Sequence, residues 1–143
     1  MKDNSLEISK YIQIAKKNHK EGKIYQANEI YKKLINQKIY TFDLLLSYGL
    51  FNKEINNLKI AKNLFILSIK KYPSRIESYI LLAEIFRKEN NFNNALKTLH
   101  AAQKIKNVQS DIDYNLSLTY KTRKILFKEV SIDKNDFFIK IIV

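Results

Sequence analysis

The chain has 143 residues, enough for one domain with its own core, and 45% hydrophobic with 28% charged residues is a folded, globular balance. It has no cysteine, which excludes disulfides, thiolate metal ligands and cysteine nucleophiles. Its two glycines and one proline are too few for the tight turns of a β-rich protein, and they favour long helices. The net charge of +12 suggests an anionic partner, but only three of the 26 basic residues are arginine, the residue best suited to phosphate and base contacts.

The N-terminal segment indicates a protein without a targeting sequence. Residues 1–22 carry charges throughout and contain no apolar run resembling a signal peptide. No stretch of the chain approaches the roughly 18 consecutive apolar residues that a membrane span requires. We therefore expect a cytoplasmic protein with no membrane span.

Residues of matched size recur along the chain with a period of 34. We call each set of residues spaced by 34 a column. Two columns contain small residues, which would let antiparallel helices approach closely, and others contain bulky residues, which would fill the space beside them. A further column contains residues that permit a left-handed turn. The pattern predicts units of helix, tight turn and helix. The columns are Ala27, Ala61 and Ala95; Ala15, Gly49, Ala83 and Ser117; Tyr31, Phe65 and Leu99; Ile14, Tyr48, Leu82 and Leu116; Ile24, Leu58, Phe92 and Leu126; and Gly22, Asn56 and Asn90.

This spacing resembles the tetratricopeptide repeat (TPR), a helix-turn-helix unit with small residues at two fixed positions, an aromatic further on and a proline near its end. The resemblance covers residues 8–41, 42–75 and 76–109. The second unit matches best and includes Pro73, whereas Ile39 and Asn107 stand in place of proline in the other two. The resemblance implies an all-α fold, a short right-handed solenoid of about three repeats, within a repeat domain of residues 1–130.

Cap residues support these boundaries. Thr41 can cap the second unit, and Ser74 followed by Glu77 has the spacing of a capping box at the start of the third. A fourth segment follows the first-helix pattern but has no turn residue near Lys124, so we expect a capping helix over about residues 110–129. The apolar tail, residues 131–143, would fold back on the last helices, pack on a second copy of the chain, or lead into another domain.

The first helix of each repeat lines the inner surface of such a solenoid, which predicts a binding groove. Counted from the first residue of each unit, the fifth, ninth and twelfth positions would face the groove. The fifth positions are apolar, and the twelfth positions form a ladder of basic or potentially basic residues. Such a surface suits a protein or peptide with apolar anchors and acidic flanks. Alternatively, the apolar residues pack on neighbouring helices and the ladder is a solvated face. The groove residues are Ile12, Leu46, Ile80 and Tyr114; Lys16, Leu50, Glu84 and Leu118; and His19, Lys53, Arg87 and Lys121.

One known activity of the family is not expected. TPR domains that hold the C-terminal carboxylate of chaperone tails carry lysine, asparagine and basic residues at set positions. This chain has Ile12 and Lys16, then Ser47, then Glu77 and Leu81 at those positions. The match fails at nearly all of them.

No catalytic or metal site is predicted. The two histidines, His19 and His100, belong to different units, and glycines only at positions 22 and 49 exclude a glycine-rich phosphate loop. We therefore expect a non-catalytic protein-interaction module without a cofactor, either on its own or as the interaction part of a larger assembly. The alternatives are a basic helical repeat that binds nucleic acid and a scaffold that self-assembles through residues 131–143.

Overall fold

The computed structural model describes residues 4–105 and the backbone of residues 109–142, with side chains up to Lys128. Every regular element in these residues is an α-helix, as predicted, and adjacent helices pack as pairs, among them α1 with α2 and α3 with α4. The chain divides into two compact units, Met1–Ser78 and Tyr79–Val143. The helices are α1 (Asn4–Lys20), α2 (Ile24–Asn36), α3 (Phe42–Glu54), α4 (Leu58–Lys71), α5 (Ile76–Lys88), α6 (Phe92–Ala102) and α7 (Gln109–Ile142).

The turn column of the sequence closes three helices in the same way. Gly22, Asn56 and Asn90 have φ of 74°, 64° and 58°, the left-handed region. In each turn, the amide of this residue donates to the carbonyl three residues earlier and the next amide donates to the carbonyl five residues earlier, over 2.7–3.2 Å. This pair of bonds is the Schellman motif, which satisfies the last carbonyls of a helix. The predicted left-handed turns are confirmed.

A fourth turn of this kind ends α2 at Lys38, with φ of 58°. Its amide donates to the carbonyl of Ile35 over 2.9 Å, and the Ile39 amide donates to that of Leu34 over 3.2 Å. A side chain with a Cβ is strained here, so Lys38→Gly should raise the free energy of unfolding by about 1 kcal/mol. Urea denaturation measures this, and Lys38→Ala, which keeps the Cβ, should show no gain. Equal gains in both variants would mean that strain is not the cause.

The helix starts fit the predicted caps in part. The Thr41 hydroxyl oxygen accepts from the Leu44 amide over 3.3 Å, so Thr41 caps α3 as predicted. Helix α5 begins at Ile76, two residues beyond Ser74. Glu77 there accepts from the guanidinium of Arg75 over 3.0 Å.

The core of the first unit is centred on aromatic rings from α2 and α3. Tyr31 is only 1% exposed, and its ring stacks on Tyr48 at 5.0 Å between centroids and lies 5.5 Å from Phe51. The Tyr48 hydroxyl donates to the side-chain oxygen of Asn28 over 3.0 Å. Through these contacts, α2, the second helix of one repeat, packs against α3, the first helix of the next.

The outer face of α1 is polar where the matching face of α3 is buried. Four of the buried α3 residues, shifted back by one period of 34, correspond to α1 residues that are all exposed. Ile14, which shares the column of Tyr48, is 48% exposed. A polar outer face is what a terminal repeat needs in water. The α3 residues are Leu44, Ser47, Tyr48 and Phe51, and the α1 residues are Lys10, Gln13, Ile14 and Lys17.

Helix α7 packs against α6 and buries Ile112, Leu116 and Thr119. It continues to Ile142, past the end expected near residue 129. Residues 109–142 contain neither glycine nor proline, the two residues that interrupt helices most strongly. Residues 131–142 are therefore helical. Their side chains, on which the predicted packing of the tail depends, lie outside the described residues.

Candidate functional site

The first helices of the first unit, α1 and α3, pack side by side. The Lys16 ammonium lies 2.9 Å from a carboxylate oxygen of Asp43, and His19 Nε2 lies 3.2 Å from a carboxylate oxygen of Glu54. The His19 ring also meets Phe51 edge-on, at 4.9 Å between centroids. Three contacts thus join the predicted α1 residues to α3.

On α3, Leu46, Leu50 and Lys53 follow one another by steps of four and three, so they share one stripe of the helix. All three are half-buried, in contrast to the fully buried Leu44 and Leu45. We call the residues Lys16, His19, Leu46, Leu50 and Lys53 the first-helix face. Its two leucines offer partly accessible apolar surface beside a lysine.

Ile12 belongs to the core and not to this face. It is 1% exposed and joins the buried cluster of Ala15, Leu44 and Leu45. Because α1 has α2 on one side and α3 on another, its fifth-position side chain is enclosed. Ile12 therefore packs on neighbouring helices, which was the alternative to its predicted place in the groove.

The sequence columns did not predict two acidic residues that lie beside the first-helix face. Asp43 pairs with Lys16 and also accepts from the Ser47 hydroxyl over 3.3 Å, while Glu54 sits against His19. They lie at the two ends of α3, outside the three columns that predicted the groove. Two predicted groove residues of this unit, Lys16 and His19, thus each have an acidic neighbour on α3, which only the pairing of side chains between helices could show.

In the second unit, Ile80, Glu84 and Arg87 occupy one stripe of α5, and all three are half-buried. An Arg87 guanidinium nitrogen lies 3.4 Å from the Thr119 hydroxyl of α7. The predicted α7 residues are more open. Tyr114 is 67% exposed, Leu118 is half-buried and Lys121 is exposed.

The two histidines have separate surroundings. His19 lies in the first unit, while His100 is exposed in the second and contacts Gln103 and Tyr120 at 2.8 and 3.4 Å. Among the described residues, no group of three or more histidines and carboxylates is placed to hold a metal ion. In the same part of the chain, none of the helices combines the length and apolarity needed to cross a bilayer.

A separate cleft of about 1160 Å³ lies between α1 and α2. Ile8, Tyr11, Ile30 and Leu34 contribute its apolar lining, and the Lys33 ammonium lies 5.9 Å from the Tyr11 ring centroid. Charges of both signs line it, so its chemistry points to no one class of ligand. No column of the sequence pattern predicted this cleft, because it depends on the angle between two helices.

The chain matches no protein-family model, and a search of curated proteins finds no relative. The resemblance to the tetratricopeptide repeat therefore depends on the sequence columns quoted above.

Proposed function

We propose that the chain is a non-catalytic protein-interaction module of the TPR type, which binds a peptide or protein segment on its first-helix face. The observation that carries the proposal is the pair Leu46 and Leu50, two leucines one helical turn apart that stay partly accessible beside a well-packed core. An α-helical or extended segment can place apolar anchors at that spacing.

The charges around these leucines bear on the ligand. Asp43 and Glu54 compensate Lys16 and His19, which leaves the ends of α3 with charges of both signs. A ligand with acidic flanks would therefore compete with Asp43 for Lys16. We propose that apolar anchoring provides most of the affinity and that acidic flanks mainly set the orientation.

Substitution of the two leucines tests this proposal. Peptides selected from a random display library on the wild-type chain should bind Leu46→Ser/Leu50→Ser at least about tenfold more weakly, because each lost anchor is worth 1 kcal/mol or more. The matched control is Ile60→Ser/Ile66→Ser on α4, where the isoleucines are 42% and 50% exposed. Its affinity should equal that of the wild type by calorimetry.

Two results would overturn the proposal. One is an equal loss in the leucine and isoleucine variants. The other is loss of helicity in the leucine variant, which would make Leu46 and Leu50 structural. A titration with a single-stranded oligonucleotide at low and raised salt tests the nucleic-acid alternative, since binding through phosphate contacts weakens steeply with salt.

A further inference from the structure

Helix α7 carries a dense basic run where it extends beyond the second unit's core. Residues 121–128 include Lys121, Arg123, Lys124 and Lys128 and no acidic residue. The three lysines are exposed and follow one another by steps of three and four, which places them on one face of the helix. We call Lys121, Lys124 and Lys128 the lysine stripe.

Large apolar side chains border the lysine stripe on both sides. Tyr114 and Ile125 are 67% and 50% exposed, and they are eleven residues apart, so they share one edge. Tyr120 and Phe127 are 49% and 57% exposed and, seven residues apart, share the other. The Arg123 guanidinium lies 5.6 Å from the centroid of the Phe127 ring. This surface is both cationic and apolar.

The packing of the unit leaves the lysine stripe, together with Tyr114 and Ile125, uncovered by α6. Helix α7 has 34 residues and α6 has 11, which at 1.5 Å per residue are about 50 and about 16 Å long. Helix α6 therefore spans only a part of α7, the part with Ile112, Leu116 and Thr119. The lysine stripe, Tyr114 and Ile125 face outward from that contact, whereas Tyr120 on the other edge contacts His100 of α6 at 3.4 Å.

We propose that the lysine stripe of α7 docks on an anionic lipid surface. The ammonium groups would reach lipid phosphates, while Tyr114 and Ile125 on one edge of the stripe enter the interfacial layer. Each lysine near such a surface is worth about fivefold in affinity, and the net charge of +12 adds attraction at a distance.

The mixture of side chains favours lipid over other anionic partners. Single-stranded nucleic acid gains from stacking aromatics and from arginine, but Tyr120 already contacts His100 and Arg123 already lies over Phe127. Of Tyr114 and Ile125 on the other edge, only Tyr114 can stack on a base. A protein groove would need an apolar pocket beside a row of acidic groups. A headgroup layer supplies phosphates and apolar depth everywhere on its surface.

Co-sedimentation of the full chain with vesicles tests the proposal. We expect binding to vesicles of phosphatidylglycerol and phosphatidylcholine in equal parts and little binding to pure phosphatidylcholine. The variant Lys121→Gln/Lys124→Gln/Lys128→Gln should bind roughly 100-fold more weakly. The control Lys20→Gln/Lys59→Gln/Lys70→Gln removes the same charge from exposed sites of the first unit and should stay within about fivefold of the wild type.

A further variant and a further probe complete the test. Tyr114→Ser/Ile125→Ser should weaken vesicle binding most at high salt, where the lysines are screened. Equal losses in the two lysine variants, or equal binding to both vesicle types, would overturn the proposal. So would a lysine-stripe variant that loses affinity for a single-stranded oligonucleotide but not for vesicles. Circular dichroism of each variant confirms that α7 remains folded.

Discussion

Gly49→Val should lower the free energy of unfolding by about 3 kcal/mol, a large part of the stability of a small domain. Helix α3 approaches α4 so closely that a Cβ at Gly49 would meet the Phe65 ring, with Cδ1 and Cζ at 2.9 Å and Cε1 closer still. The ring is fully buried, so it has little room to move aside. Urea denaturation followed by circular dichroism gives the value.

Two further variants separate this clash from a general effect of valine. Ser117 shares the column of Gly49 but is exposed on α7, so Ser117→Val should change stability by less than about 0.5 kcal/mol. Phe65→Ala relieves the clash, and in a double-mutant cycle its cost and that of Gly49→Val should fall short of additivity by more than about 1 kcal/mol. Strict additivity would show that the ring does not set the spacing of the helices.

The second large effect is a loss of stability at high pH through Tyr31. Burial, with smaller contributions from Asp43 and Glu54, raises the pKa of Tyr31 from 10.0 to about 12. The unfolded phenol therefore loses its proton first. Stability from this group is complete below pH 10 and is lost as the pH rises to about 12, by about 2–3 kcal/mol in all.

Tyr31→Phe isolates this contribution, because it removes the titrating hydroxyl and keeps the buried ring. The difference in unfolding free energy between wild type and variant should be constant below pH 10 and should shift in favour of the variant above it. Tyr25, 74% exposed, supplies the control. Tyr25→Phe should leave the pH dependence unchanged, and parallel curves for wild type and Tyr31→Phe would contradict the expectation.

The period of 34 was sufficient to predict the all-α fold, the helix pairs and their turns. Each of these features is set locally. A residue that adopts positive φ, such as Asn56, ends a helix wherever it occurs, and small residues such as Gly49 mark a close approach. The end of α7 was misplaced because the columns stop at Leu126 and carry no information on the residues beyond it.

The surface was harder to predict than the fold. Ile12 and Leu46 share a column, yet Ile12 is in the core and Leu46 is half-buried, because enclosure depends on which helices flank each position. The pairing of Lys16 with Asp43 and of His19 with Glu54 likewise depends on distances between helices. A column gives the residue type and its position within the repeat, but it does not show which helices lie beside that residue.

Because the outer face of α1 is polar, an additional repeat can be inserted after α2 but not in front of α1. A duplicate of residues 42–75 inserted after residue 41 would meet α2 through the same buried columns that α3 uses now. The same duplicate fused ahead of α1 would press an apolar helix surface onto Lys10, Gln13 and Lys17, and burying these groups without partners is unfavourable. The protein can thus be lengthened after α2, whereas a unit joined in front of α1 would be connected to it only through the chain, without a packed interface.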